Sequence, residues 1–269
     1  MLINRFLCSL ATSILALASA AAQTSTEDQP QARSFIVTGA AALPEFEGAE
    51  RLRPVPLIVS RFSALGSEVE IEGLEGRVDL LPHPVLRAGP AFGVILPRND
   101  DFIDTAAVTA LESIDTAVEL GGFVGFRVPF GNLKEGTLTG TTTVRHDVSG
   151  SHSGLTVDSE LEYFFAVNRM LRIGVAANAS FATSDYFDTY FSVDADGATA
   201  SGLTEFDAGG GARDVGVEAF SILSFSERWG IFSRVAYNRL LGDAADSSIV
   251  EEVGSENQVF FGAGLFLNF

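Results

Sequence analysis

Apolar and polar residues alternate along most of the chain, in runs of about ten residues that are separated by turns. Leu155 and Val157, for example, lie on one face of their run, whereas Asp158 and Glu160 lie on the other. Because successive side chains of a strand point to opposite faces, this pattern predicts β-strands with one apolar face. Regular helical spacing is weak and occurs only around 104–114.

The number of strands depends on the run 68–81, whose apolar positions change parity near Gly73 and Gly76. Such a change indicates either a β-bulge or a chain reversal. Counted as one strand, the run brings the total to eleven; split into two it brings the total to twelve; omitting the first run gives ten. Twelve is favoured, with ten as the alternative, because bacterial single-chain barrels have even strand numbers. The eleven runs are 34–43, 52–62, 68–81, 84–96, 115–130, 133–146, 154–167, 170–183, 212–225, 228–240 and 258–269.

Short and long connections alternate between these runs. Short links lie near 82–84, 131–134, 167–170 and 226–228, and longer polar links at 97–114, 147–153, 184–211 and 241–257. Outer-membrane barrels have short periplasmic turns and longer extracellular loops. The last strand has to pair with the first, since an unpaired backbone edge in lipid costs several kcal/mol per group. The sequence therefore predicts an all-β fold, a closed antiparallel transmembrane β-barrel.

Composition supports this class. The formal net charge is -18 among 269 residues, yet the mean hydropathy is positive, at +0.25. Hydrophobicity is spread over short segments rich in Gly and Phe, as in membrane barrels whose outer face contacts lipid and lipopolysaccharide. A chain this acidic lacks the basic surface that nucleic-acid binding requires, so no nucleic-acid partner is expected.

The N-terminal residues predict export. Residues 1–22 combine a basic start, an apolar run and closing small residues, as in a secretory signal peptide cleaved after Ala22. Residues 23–33 are polar and are predicted to form a flexible leader, followed by one barrel domain at 34–269. The one cysteine, Cys8, lies in the predicted signal, so the mature chain would contain no disulfide. The predicted location is the outer membrane of a Gram-negative cell.

Eight charged residues lie on the polar faces of their strands and are predicted to face the lumen. They could line a channel or a polar binding site, or they could fill a narrow interior as ion pairs, because an unpaired buried charge is costly. Phe123, Phe164 and Phe220 share these faces, which favours the filled interior. The eight are Glu119, Arg127, Asp158, Glu160, Glu162, Arg172, Glu218 and Arg234.

Residues suited to catalysis are sparse. The histidines are His83, His146 and His152. His146 is followed by Asp147, and Ser151 precedes His152, but neighbours on a strand point to opposite faces, so adjacency does not predict a triad. No recognised zinc-ligand spacing or EF-hand pattern is present, and the acidic loops are predicted to be solvated. We therefore expect no enzymatic activity, no cofactor and no metal.

Several longer stretches resemble the MltA-interacting protein family, whose members are also called OmpV-like. They are PEFEG at 44–48, AGP at 88–90, DVSGSHSG at 147–154, SDYFDTYFSVD at 184–194, ASGLTEFDAGGGARDVGV at 200–217 and RLLGDAADSSIV at 239–250. The resemblance covers nearly the whole mature chain and is most specific over 184–250. The chain departs from the family pattern at Ser192, Phe206 and Ser248, where the family usually has Gly, Tyr and Pro.

The resemblance implies a non-enzymatic outer-membrane barrel. It also implies a scaffold that links a lytic transglycosylase to a penicillin-binding protein and so serves peptidoglycan remodelling. A small-solute channel, or an adhesin that acts through the loops 184–211 and 241–257, are the alternatives. The family carries no firm residue-level site.

The C-terminal strand is predicted to have a second role. Phe261, Leu265, Leu267 and Phe269 alternate with small or polar residues and would face lipid. A terminal aromatic residue with alternating apolar positions resembles the signal that the barrel-insertion machinery recognises. This machinery is therefore a predicted partner.

Overall fold

The computed structural model describes residues 34–269 and contains a closed antiparallel barrel of twelve strands. Each strand pairs with its neighbours in the chain, and the last strand pairs with the first. The strands are β1 Phe35–Pro44, β2 Leu52–Ala64, β3 Ser67–Glu72, β4 Glu75–Asp79, β5 Leu86–Ile95, β6 Ala117–Pro129, β7 Lys134–Asp147, β8 Leu155–Ala166, β9 Leu171–Ala182, β10 Gly211–Ser224, β11 Trp229–Leu240 and β12 Asn257–Asn268. The predicted signal peptide 1–22 and leader 23–33 lie outside the described residues.

Short helices occupy the long connections. They are α1 Ala106–Thr109, α2 Ser184–Phe191, α3 Ala195–Ser201, α4 Gly242–Asp246 and α5 Ser248–Val253. Only α1 lies where the sequence has weak helical spacing. Within 34–269, no helix has the length and apolar character needed to cross a membrane.

The run 68–81 forms two short strands, β3 and β4, and the chain reverses between them at Gly73, which has a φ of +58°. The twelve-strand prediction is confirmed, and the counts of eleven and ten are wrong. The hairpin is shorter than its neighbours: β2 pairs with β3 only from Val59 to Ala64. Residues 52–57 of β2 therefore have no strand partner on this side of the wall.

Two prolines mark this free edge of β2. The carbonyl of Ile58 accepts the N–H of Gly73 at 2.8 Å, so the backbone groups of even-numbered residues point toward the hairpin side. Pro54 and Pro56 have the same parity and occupy the unpaired stretch. Since proline has no N–H, it leaves no donor unsatisfied there, and it is confined to such edges in sheets.

The seam between β1 and β12 closes the barrel. Pairing runs from Phe35 and Asn268 at one end to Ala42 and Phe261 at the other. The backbones approach closely at Gly39, where an added Cβ would lie 2.1 Å from the carbonyl oxygen of Ala263. The seam therefore requires glycine at this position.

Replacing Gly39 with valine should weaken the seam. A forced fit of this kind typically costs about 1–3 kcal/mol, so Gly39→Val should lower the free energy of unfolding by at least that amount. Urea unfolding of the barrel in detergent micelles would measure it. The control is Ala40→Val, because Ala40 is exposed on the outer face. Equal stability of the two variants would contradict the close packing of this seam.

Candidate functional site

Four of the extracellular connections fold together into one structure, which we call the cap. Its residues are 45–51, 96–116, 183–210 and 241–256. Two apolar clusters, centred on α2 and on the contact of α1 with α3, form its core. Phe191 and Ile249 are both 0 % exposed. The extracellular end of the barrel is therefore covered by packed side chains.

Hydrogen bonds join the connections of the cap to one another. Ser247 donates through Oγ to the carbonyl of Phe191 at 2.6 Å, and the Gly209 N–H donates to Asp243 Oδ2 at 2.6 Å. Thr204 likewise donates its N–H to Glu252 at 3.0 Å. Asp243 and Glu252 thus accept hydrogen bonds from another connection, and both of these bonds are exposed to solvent.

Tyr186 of α2 fastens the cap to the barrel wall. Its hydroxyl donates to Glu47 Oε2 at 2.7 Å and accepts from Arg213 Nη1 at 3.2 Å. Arg213 Nε also lies 3.0 Å from Glu47 Oε1. Burial raises the pKa of Glu47 and raises the pKa of Tyr186 well above its usual value. The tyrosine is therefore a neutral donor at physiological pH.

Beneath the cap lies the main cavity, with a volume of about 710 Å³. Among the described residues, none of the cap lines it, whereas Phe35, Glu135 and Asn268 line it from the periplasmic ends of strands. The cavity therefore extends from the periplasmic ends of the strands up to Arg145 and the tip of the β3–β4 hairpin, below the cap. The interior, which was predicted to be filled by side chains, therefore contains an open cavity.

The cavity wall combines apolar and charged surfaces. Stacked rings of Phe164 and Phe220, with centroids 5.8 Å apart, belong to an apolar cluster that spans β8, β10, β11, β12, β1 and β2. Charged residues line the cavity from β2 to β11, and several of their ion pairs meet at Glu70, which is 8 % exposed. A ligand in the cavity would contact both surfaces.

Four arginines surround Glu70. Arg61 Nε lies 2.7 Å and Arg127 Nη2 3.1 Å from its Oε1, and Arg87 Nη1 lies 3.4 Å away. Arg77 donates to the other carboxylate oxygen. Because a buried carboxylate is stable only when it is paired, these contacts hold five strands of the wall, β2 to β6, together.

The tip of the β3–β4 hairpin is held from two distant strands. Glu75 forms an ion pair with Arg145 of β7, whose Nη1 lies 2.8 Å from the Glu75 Oε2. Glu72 forms an ion pair with Arg234 of β11, which also binds Glu218 at 2.6 Å. These ion pairs cross the lumen and stabilise the position of the short hairpin.

The predicted lumen residues do not form pairs mainly among themselves. Of the eight, only Glu218 and Arg234 bind each other. Glu119 and Asp158 both bind Arg145, at 3.2 and 2.8 Å.

The other four predicted residues differ in their partners. Arg127 binds Glu68 at 3.0 Å as well as Glu70. Within the described part of the chain, the Arg172 side chain hydrogen-bonds only to the Ser224 hydroxyl, at 3.5 Å, and its guanidinium lies 5.8 Å from the centre of the Phe266 ring. Glu160 and Glu162 line the cavity without an ion pair to any described residue.

Sequence reasoning missed most of the arginine cluster. The missed residues are Arg61, Glu68, Glu70, Glu72, Glu75, Arg77, Arg87 and Arg145. The alternation of glutamates at 68, 70 and 72 was the available signal, and it shows that one face of β3 is acidic. It was obscured by the change of parity within the run 68–81.

The histidines have structural contacts. His152 is buried, its N–H donates to Asp147 Oδ2 at 2.8 Å, and its Nε2 lies 3.5 Å from Glu119 Oε1. Ser151 donates to the carbonyl of Thr116 at 3.0 Å, so its hydroxyl is engaged elsewhere. Residues 34–269 contain no cluster of His, Cys, Asp or Glu arranged for a metal ion.

Exposed apolar side chains occur at the opposite end from the cap, on the short turns. Leu65 is fully exposed and has a φ of 53°, and Leu81, Leu133 and Met170 are also exposed. We call these four residues the periplasmic rim. Solvent-exposed leucines on tight turns have no packing role within the barrel, so they are available to a partner.

The profile of the family described as MltA-interacting protein MipA matches residues 36–269. The chain belongs to this family. The family prediction is thereby confirmed, and with it the outer-membrane location. No curated protein matches the sequence significantly.

Solved structures that resemble the chain are outer-membrane barrels. The translocator domain of the autotransporter NalP from Neisseria meningitidis is 10% identical, with a TM-score of 0.46 over 99% of this chain and 97% of that chain. OmpT of Vibrio cholerae is 8% identical, with a TM-score of 0.39 over 88% and 76%. The CymD monoaromatic hydrocarbon channel is 10% identical, with a TM-score of 0.38 over 90% of each. TM-scores below 0.5 support no inference about the function of this chain.

Neutralising Glu70 should strongly destabilise the barrel. Glu70→Gln leaves the buried Arg87 and three partly buried arginines without their central counter-charge, and breaking a buried ion pair costs about 3–5 kcal/mol. The matched control is Glu162→Gln, which removes a lumen carboxylate that has no ion pair and should cost nothing or stabilise the barrel. Urea unfolding in micelles would compare the two. A Glu162→Gln loss as large as that of Glu70→Gln would contradict the central position of Glu70.

Proposed function

We propose that the protein anchors a lytic transglycosylase of the MltA type at the inner surface of the outer membrane, and that the enzyme docks on the periplasmic rim. The family description names MltA as the interaction partner. The observation that carries the proposal is the asymmetry of the two ends. Packed side chains cover the extracellular end, whereas apolar residues are exposed at the periplasmic end.

The position of the rim supports a protein partner over lipid. Aromatic residues such as Phe130, Phe225 and Trp229 lie at strand ends, where interfacial rings are expected. Leu65 and Leu133 lie on the turns beyond the strands. An apolar side chain in this position is solvated unless another protein covers it, and covering it removes apolar surface from water.

A scaffold has to bind a second partner, and the resemblance implies a penicillin-binding protein. The periplasmic end offers several separate turns around the barrel, so two enzymes could bind without competing for the same residues. No catalytic role is proposed for the barrel itself. The channel alternative would require a path through the packed cap, and the adhesin alternative would require partners for the cap's outer surface.

Acidic substitutions at the rim should weaken docking. Leu65→Asp combined with Leu133→Asp places two charges in an apolar contact, and we expect binding of the purified lytic transglycosylase to fall at least about tenfold. Surface plasmon resonance with the barrel held in lipid nanodiscs would measure the affinity.

The matched control is Val148→Asp, which makes the same kind of change at an exposed residue on the extracellular side. It should bind the enzyme as the unaltered chain does. Equal affinity of the rim variant and the control, with both barrels folded, would contradict docking on the rim.

We also propose that the outer face of β12 is the signal for membrane insertion. Phe261, Leu265 and Phe269 are exposed on the outside of the barrel, and Leu267 shares their parity. Their spacing places one apolar stripe where the insertion machinery could read it before the barrel closes. Export would begin with the predicted signal peptide, 1–22.

Deleting Phe269 should reduce assembly of the barrel in cells much more than it reduces the stability of the folded barrel. The loss removes the terminal aromatic residue and one seam hydrogen bond, from the Phe269 N–H to the Ser34 carbonyl. We expect a several-fold lower amount in the outer membrane, measured by fractionation, with refolding in detergent largely retained. Normal outer-membrane amounts of this truncation would overturn the insertion proposal.

A further inference from the structure

The barrel wall has a gap in its extracellular half. Neither β3 nor β4 extends to residues 52–57 of β2. On the other side, β4 follows β5 up to the hydrogen bond from the Val94 N–H to the Leu74 carbonyl, at 3.2 Å, so the gap lies beside β2 and above this bond. Three strand spacings separate β2 from β5, which corresponds to about 14 Å. The Phe102 carbonyl accepts from Arg53 Nη1 at 2.9 Å, so the cap bridges the top of this gap.

A pocket of about 400 Å³ lies behind the gap, and we call it the lateral pocket. Its lining includes Arg53 from the free edge of β2 and the consecutive residues 94–98 at the end of β5. Tyr190 of the cap and Leu240 of β11 form its inner side. The size is within the range of roughly 300–1,000 Å³ that small-molecule sites have.

Three polar atoms in this pocket have no hydrogen-bond partner among the described residues. They are Arg98 Nε, the Tyr190 hydroxyl and Asn238 Oδ1. Arg98 is 9 % and Tyr190 8 % exposed. Buried polar groups are normally hydrogen-bonded to protein or to ordered water, so three such atoms around one pocket make it a place where a polar ligand group or water would be bound.

Arg98 also has no counter-ion. Its Nη1 donates to the carbonyl of Tyr190 at 3.0 Å, and no carboxylate of the described residues lies within 4.0 Å of it. Arg213, in the same pocket, binds Glu47 and two aspartates. Burial lowers the pKa of Arg98 to about 10, so it remains charged at neutral pH.

We propose that the lateral pocket binds an amphipathic anion that enters from the outer leaflet through the gap, with its head on Arg98 and Tyr190. The alkyl chain would lie against the apolar residues at the end of β5, Val94, Ile95 and Leu96. A purely polar anion lacks this apolar contact, and a neutral amphiphile leaves Arg98 without a counter-charge. The wall gap gives a membrane-dissolved molecule direct access.

Binding can be tested with three probes of related structure. Decanoate should bind the barrel in nanodiscs above the background of empty nanodiscs, as measured by isothermal titration calorimetry. Decanol and acetate, which lack the charge and the chain respectively, should bind at least about tenfold more weakly. Equal binding of decanoate and decanol, or no binding of decanoate, would overturn the proposal.

Two substitutions locate the head group. Tyr190→Phe removes a hydroxyl that has no hydrogen-bond partner among residues 34–269, so folding should be retained while decanoate affinity falls about tenfold or more. Tyr237→Phe is the matched control, because the Tyr237 hydroxyl binds Asn257 outside the pocket. Arg98→Gln should abolish the preference for decanoate over decanol. Unchanged affinity and preference in both pocket variants would assign decanoate to another place.

Entry through the wall can be tested separately with a single cysteine. In the chain that begins after the predicted signal, Leu96→Cys would be the sole cysteine. A membrane-dissolved alkyl maleimide should label it, decanoate should protect it, and a sulfonated, water-soluble maleimide should react slowly. Val148→Cys, exposed on the extracellular side, should react readily with the sulfonated reagent. Fast, unprotected labelling of Leu96→Cys by the sulfonated reagent would contradict lateral entry.

Discussion

Backbone hydrogen bonding in lipid is the constraint on which the rest of this structure depends. No water is available in the hydrocarbon layer, so each N–H and C=O of a spanning strand needs a partner within the sheet. The pairing of β12 with β1 meets this requirement at the seam. Where the wall is incomplete, above the β3–β4 hairpin, Pro54 and Pro56 remove donors that would otherwise be unsatisfied. The backbone pairing of the described residues thus shows both the closure of the barrel and its local interruption beside residues 52–57 of β2.

Closure also creates the interior in which the charges are found. A short hairpin would be a weak element of the wall by itself, because few strand residues pair with it. Ion pairs from β7 and β11 to its tip, and the arginine cluster around Glu70, add contacts from across the lumen. The interior charges therefore stabilise the wall where its backbone pairing is least complete. With the cap above and the cavity below, the two ends of the barrel differ in chemistry.

Much of the fold could be predicted from the sequence, because a half-buried strand repeats every two residues and closure requires an even strand number. The parity change in 68–81 predicted a reversal or a bulge, and the structure has the reversal at Gly73. The cap was not predicted, because its helices have four to eight residues and are stabilised by contacts between distant loops. Ion pairs in the interior were predicted, but the partners were not, because the partner of Glu72 is Arg234, which is distant in sequence and is brought near only by closure. The two-residue alternation predicts which face of a strand each side chain lies on. It does not predict which side chains of other strands that side chain contacts.

Hydrogen–deuterium exchange of the nanodisc-held barrel, with and without the purified lytic transglycosylase, tests most directly the proposal that the protein is a periplasmic anchor. The cap and the periplasmic turns are on opposite sides of the membrane and in different segments of the chain, so their hydrogen exchange is measured separately. The proposal predicts slower exchange in the turns that carry Leu65 and Leu133 when the enzyme is bound, with the cap unchanged. Protection confined to the cap, or no protection of any periplasmic turn at saturating enzyme, would contradict it.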